Sequence, residues 1–327
     1  MTGCLSTEPR HMYQRNIKRH IEKAKGVIYT IFEIEMASQD TLDAKPDLIE
    51  ETSTKLPVTK GTEPKTNEGT IYQSQLDQER YPIKSGIAVV INNTEFDARL
   101  GLSDRSGSDV DASSLFQRFM ELGFESDLMN DASRDDLVEK LQEIINDKEN
   151  LKKTDCLIVA LLTHGNEDSV YMTDRSIKMK SIMNCFNAEN CPELILKPKI
   201  FIFQCSRKPD SRQGEHITVQ DTLKNKVTVP DAVDTVRIPN ESDFLEVFST
   251  SIGDRSFHNT ESSSPFLRHL IEELHNIQED DDIYKVLTKV NSKVMTFEPG
   301  HTASKDMRQM PYFVSHLTKD LYLKQTN

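Results

Sequence analysis

Three short, unbroken apolar runs constrain this chain more than any other feature. They are Ile87–Ile91 (IAVVI), Cys156–Leu162 (CLIVALL) and Ile200–Phe203 (IFIF). Each has strand length and no polar alternation, the pattern of a central strand covered on both faces. Helical periods lie between them. Ala112, Leu115, Phe116, Phe119 and Leu122 share one helix face, with Gly123 as the stop. Leu137, Leu141, Ile144 and Ile145 share another, with Ser133 as N-cap and Asp136 three residues on. Met179–Phe186 is a weaker helical segment. Further along, Phe244–Phe248 reads as a strand, the periods Leu267–Leu274 and Ile283–Val294 as helices, and Tyr312–Leu323 as a final apolar stretch. Strands alternating with helices predict an α/β layered domain with a mostly parallel sheet.

The remaining chain is polar. Residues 37–80 hold few large apolar side chains to offset the entropy of ordering, so residues 1–80 are predicted to form a mobile N-terminal arm. Within it, 15–36 could form a short basic helix, and Val27–Met36 has no assigned role. A second polar stretch, Pro209–Asn240, interrupts the α/β pattern and is long enough to suggest a functional loop. The expected divisions are therefore 1–80, 81–208, the linker 209–240, and 241–327.

Composition removes several function classes. The formal charge of −13 argues against a nucleic-acid binder, and no apolar run is long enough to span a membrane. Five cysteines (Cys4, Cys156, Cys185, Cys191 and Cys205) show no metal-type spacing, and the nine histidines do not pair at helical spacing. The expectation is a cytoplasmic protein with free thiols, no bound metal and no cofactor.

Ligands of open α/β sheets bind beyond the carboxyl ends of the strands. CLIVALL ends in Thr163-His164-Gly165, and IFIF ends in Gln204-Cys205-Ser206-Arg207. A histidine at one strand end and a nucleophile at its neighbour is an arrangement suited to acyl transfer, with the imidazole moving the proton. A lone histidine after a strand is more often structural, so this pair does not identify the chemistry alone.

The wider sequence does. Asp104-Arg105-Ser106-Gly107-Ser108-Asp109-Val110-Asp111, Leu162-Thr163-His164-Gly165 and Lys197-Pro198-Lys199-Ile200-Phe201-Ile202-Phe203-Gln204 occur in that order. They are followed by Ile238-Pro239-Asn240-Glu241-Ser242-Asp243-Phe244-Leu245, Phe248-Ser249-Thr250 and Arg308-Gln309-Met310-Pro311. From Tyr81 to Leu323 the chain resembles the caspase family, and the shortness of the 1–80 arm resembles an effector-type prodomain. The resemblance implies a six-stranded sheet flanked by helices, a large and a small subunit, and pairing of two such units. It also implies that His164 and Gly165 occupy catalytic positions and that Arg105 and Gln204 hold a substrate aspartate. Asp221, Asp231 and Asp234 become candidate cleavage sites in the linker.

The departures decide the functional expectation. Where caspases carry Gln-Ala-Cys-Arg-Gly, this chain reads Gln204-Cys205-Ser206-Arg207-Lys208, so Ser206 stands at the nucleophile position. Cys205, an alternative nucleophile, is one residue early, and in an extended segment that shift should turn it away from His164. No residue in the sequence is identifiable as orienting His164. The family's second aspartate-binding arginine is His258, in Ser256-Phe257-His258. An imidazole, mostly neutral at pH 7, offers fewer donors than a guanidinium. Gly-Ser-Trp-Phe becomes Ser263-Ser264-Pro265-Phe266, without the aromatic wall. The expected function is an inactive caspase homologue that regulates apoptotic signalling by pairing with an active caspase, or with itself, through its last strand. The alternatives are a peptidase of altered specificity using Ser206 or Cys205, and a decoy for inhibitors or adaptors.

Overall fold

The structure is a computed structural model that describes residues 76–207, 238–251, 263–297 and 309–324. The expectations for the N-terminal arm up to residue 75, Asp221, Asp231, Asp234, His258 and Arg308 lie outside the described residues.

The three apolar runs form the centre of a six-stranded sheet. They are β1 (Gly86–Asn92), β3 (Cys156–Leu162) and β6 (Lys199–Gln204), with every residue buried. β2 (Phe124–Asn130) pairs outside β1, and β7 (Phe244–Phe248) and β8 (Tyr312–Ser315) follow β6, giving the order β2-β1-β3-β6-β7-β8. All neighbours are parallel except β7 and β8. A small antiparallel pair, β4 (Ser169–Tyr171) and β5 (Ser176–Lys178), stands beside the sheet. The α/β fold with a mostly parallel sheet is as expected.

β2 was not predicted, because only Phe124 in it is fully buried and its polar residues resemble a loop. As an edge strand it has little of the continuous burial that marks β1. The final apolar stretch is a strand only over Tyr312–Ser315.

The helices follow the periods. α1 (Ser108–Glu121) buries Ala112, Leu115 and Phe119, and Gly123 just beyond it takes φ +86°, a conformation that favours glycine. α2 (Arg134–Asn146) opens with a capping box in which Ser133 and Asp136 bond reciprocally. α3 (Lys148–Lys153) and α4 (Met179–Asn184) are short. α5 (Pro265–His275) and α6 (Ile283–Met295) pack together, and Asp282 caps α6 by accepting from the Lys285 amide. The acidic run 279–282 thus serves a helix start: Asp281 also pairs with Lys285 and Lys289.

Residue alternation along the strands divides the core. On one face Ala88, Val90, Ile158, Ala160, Ile200, Ile202, Leu245 and Val247 cluster with α1, α5 and α6. On the other, aromatic rings step across three strands: Phe201 stacks on Phe244 (5.8 Å), Phe203 on Phe248 (5.2 Å) and Phe248 on Tyr312 (4.8 Å).

At the start of β6, Lys199 is 2% exposed, and its ammonium donates to the carbonyls of Leu194 (3.1 Å) and Lys197 (2.9 Å). Burial pulls its pKa down to about 8, against the opposing charge of Asp243. A lysine whose folded pKa lies below its unfolded one binds fewer protons when folded between those values, so its contribution rises with pH from about 8 to about 10. The native chain is therefore expected to gain on the order of 2 kcal/mol relative to Lys199→Met over that window. Denaturant unfolding of both proteins at pH 8, 9 and 10 measures the difference; a constant gap would contradict it.

Candidate active site

The carboxyl ends of β3, β6 and β7 lie side by side. Thr163 N donates to the Gln204 carbonyl (3.1 Å), Ser249 N to that of Phe203 (3.0 Å), and Ser249 Oγ to that of Cys205 (3.2 Å). Gln309 Nε2 reaches the Ser249 carbonyl at 2.5 Å, so the motif before β8 closes the same strand ends. The turn after β3 therefore neighbours the segment after β6.

His164 is partly exposed, and its Nε2 is 2.7 Å from the Ser103 carbonyl. A carbonyl only accepts, so this contact places a proton on Nε2 and makes Nδ1 the basic nitrogen. The Phe96 ring lies against the imidazole, centroids 4.9 Å apart and tilted by 50°. A backbone carbonyl and a ring face thus contribute to the orientation of the histidine. Neither has the residue-type signature by which the sequence would have identified an orienting partner.

Ser206 follows directly and is partly exposed. Cys205 is 2% exposed. Its thiol lies against the Gly165 backbone: a Cβ on Gly165 would come within 2.8 Å of Sγ and 3.0 Å of the Ser169 carbonyl. Gly165 is therefore required by the close approach of Cys205 as well as by the turn. Burial pushes the Cys205 thiol up to about 12, although Arg207 and Arg105 oppose it. Such a thiol is almost wholly protonated at neutral pH.

Arg105 is 5% exposed, and Nη1 donates to the carbonyls of Asn93 (2.8 Å) and Leu162 (2.8 Å) and to Ser108 Oγ (3.2 Å). Burial pulls its pKa down to about 10, against Cys205 and Asp111, so it remains a cation at pH 7. It braces the ends of β1 and β3 whatever else it holds. Gln204 is buried as the last residue of β6. Pro265 is buried as the first residue of α5, and Asp111 accepts from Ser264 N (2.8 Å) and from Ser263 Oγ, joining α1 to the start of α5.

Arg207 carries no role that the sequence alone suggests. It is 8% exposed, its guanidinium lies 4.2 Å over the Phe248 ring, and Nη2 donates to the Glu167 carbonyl. It fastens the segment carrying Ser206 to β7 and to the turn before β4. Among the described residues no group of His, Cys, Asp and Glu is arranged to hold a metal ion, and no helix is long and apolar enough to cross a membrane.

A six-stranded, mostly parallel sheet with His164 and Ser206 just beyond the carboxyl ends of neighbouring strands defines an open-sheet α/β domain with its candidate site at those ends. The caspase domain of the C14 peptidases matches residues 85–322, and the chain belongs to the caspase family. It is 33% identical to caspase-3 of Oryctolagus cuniculus over 245 residues, 74% of this chain and 84% of the relative. It is also 33% identical to caspase-7 of Gallus gallus over 292 residues, 86% and 93% of the two chains. The crystal structure of caspase-1 from Spodoptera frugiperda superposes with a TM-score of 0.64 and 31% identity, covering 76% of this chain and 97% of that one.

Proposed function

We propose that this caspase homologue acts by binding and not by cutting: it pairs with an active caspase through its C-terminal strand and alters that partner's output in apoptotic signalling. The observation that carries this reading is the pair of residues after β6. Ser206 stands at the nucleophile position, and the neighbouring thiol of Cys205 is buried against Gly165 with its pKa pushed up to about 12. The sheet that would support pairing is intact, and β8 is its last strand among the described residues, with Val314 exposed in it and Met310 exposed just before it.

The test is co-purification of tagged full-length chain with an active caspase, followed by assay of the captured enzyme per mole. A stoichiometric complex with changed activity is expected. Absence of any complex at micromolar concentrations of both chains would overturn the proposal. Self-pairing is the competing outcome and appears as a homodimer by sedimentation.

One observation favours a second reading, a peptidase of altered specificity. His164 keeps an Nε2 partner and a ring face beside it, and Ser206 is partly exposed. A serine nucleophile depends on a base held in this manner.

A further inference from the structure

We propose that Asp131 is a positioning residue for His164, acting through the loop that leaves β1. The proposal concerns the orientation of the imidazole and stands whether or not the site cleaves peptides. Asp131 follows β2 in the left-handed region, φ +49°, and its amide donates to the Asn92 carbonyl at the end of β1 (2.9 Å). Its carboxylate then receives the start of the neighbouring loop. Oδ1 accepts from Thr94 N (2.7 Å), Glu95 N (2.9 Å) and Thr94 Oγ1 (2.9 Å), and Oδ2 is 3.1 Å from the same hydroxyl. The next residue adds a tie, Ala132 N to Asn93 Oδ1 at 2.9 Å. Burial raises the Asp131 pKa and the amide donors of Glu95 and Thr94 lower it; the donors prevail, as expected for a carboxylate bonded in its charged form.

The loop so fastened carries two groups that touch His164. Phe96 follows Glu95 directly and lies against the imidazole. The Thr94 carbonyl accepts from Arg105 N (2.9 Å), which fixes the far end of the loop two residues after Ser103, whose carbonyl meets His164 Nε2. A second anchor, Asp97 N to the Thr173 carbonyl (2.8 Å), limits the loop beyond Phe96. Segment 93–105 is thus a strap gripping the imidazole by a ring face and a carbonyl, and Asp131 fastens its beginning. The residue type fits the task. A carboxylate has acceptor sites for three donors at once, and aspartate tolerates the left-handed backbone better than most residues.

The test is NMR of full-length protein labelled at histidine, following exchange and resonance position of the His164 Nε2 proton, with His164→Gln for assignment. Asp131→Gly removes the carboxylate while accepting the positive φ; Asp131→Asn keeps an acceptor and the backbone preference. Loss of charge-assisted bonds in Asp131→Gly is expected to speed Nε2–H exchange about tenfold or more and to move the Nε2–H resonance upfield as its bond to the Ser103 carbonyl loosens. Asp131→Asn is expected to stay within about threefold of native exchange, since an amide oxygen still accepts two backbone donors. Native exchange and an unmoved Nε2–H resonance in Asp131→Gly would overturn the proposal, whatever happens to its melting temperature. An Asn variant as impaired as the Gly variant, with the same fall in melting temperature, would mark general loosening and overturn it as well. Should Asp131→Gly not fold, Thr94→Val decides: it deletes the hydroxyl arm alone, and exchange unchanged from native sinks the proposal while acceleration supports it.

Discussion

The double variant Ser206→Cys, His258→Arg is expected to hydrolyse peptides with aspartate before the scissile bond at least about a thousandfold faster than the native chain. Two losses contribute. A serine hydroxyl is essentially un-ionised at pH 7, whereas a thiol is a few per cent thiolate and intrinsically more nucleophilic, so the hydroxyl depends wholly on its base. His164 has its Nε2 directed at the Ser103 carbonyl, an uncharged acceptor that stabilises an imidazolium less than a triad carboxylate does. Recognition is the second loss. A substrate carboxylate held by one guanidinium and a neutral imidazole lacks a charge-assisted pair worth on the order of 2–5 kcal/mol. Each single variant should recover only part, because a nucleophile without a positioned substrate and a filled pocket without a nucleophile both remain slow. Initial rates on a peptide panel, with Ser206→Ala and Cys205→Ala as controls, measure the effect. Native turnover comparable to that of the double variant, and abolished in Ser206→Ala, would replace the binding reading by the peptidase one.

The second large effect concerns Cys205. With its pKa pushed up to about 12, the thiolate fraction at pH 7.5 is roughly a thousandth of that of a free thiol near 8.5. In the folded chain, alkylation of Cys205 by iodoacetamide is therefore expected to be about a thousandfold slower than in denaturant, and slower again for want of access at 2% exposure. The thiolate-limited rate should rise about tenfold per pH unit from 7 to 10 while the fold persists. Peptide mass spectrometry over a time course resolves Cys205 from Cys156, Cys185 and Cys191, which are buried as well. Labelling at free-thiol speed in a protein that circular dichroism shows to be folded would mean that Cys205 can swing out from behind Gly165, and would revive it as a nucleophile.

Much of the architecture was legible in the sequence because its signals are local. Continuous runs marked β1, β3 and β6, since strands buried on both faces leave no polar residue to confuse the reading. The cap at Ser133 sat where a side chain satisfies the first amides of a helix. β2 escaped because an edge strand shows one face to water. At the site, residue type carried His164, Gly165, Arg105 and Ser206 to notice. Two contacts that shape His164 come from Ser103 through its main chain and Phe96 through its ring, and Asp131 acts from another strand end. None has a characteristic spacing, because they meet only after the sheet brings the ends of β1, β2 and β3 together.

The order of the strands bears on what the peptide link through residues 208–237 contributes. β6 lies before that segment and β7 after it, yet the two pair over five registered positions and share two stacked ring pairs, with a third joining β7 to β8. Near the beginning of the described chain, Tyr81 donates to Asp243 (2.7 Å), and its hydroxyl accepts from Thr318 N (2.9 Å). The two halves are therefore laced at the middle of the sheet and again at its margin, with no covalent bond needed for either lacing. What the link supplies is effective concentration. Severing it would leave the same contacts in place while turning the folding equilibrium from a unimolecular one into a bimolecular one, whose position depends on dilution.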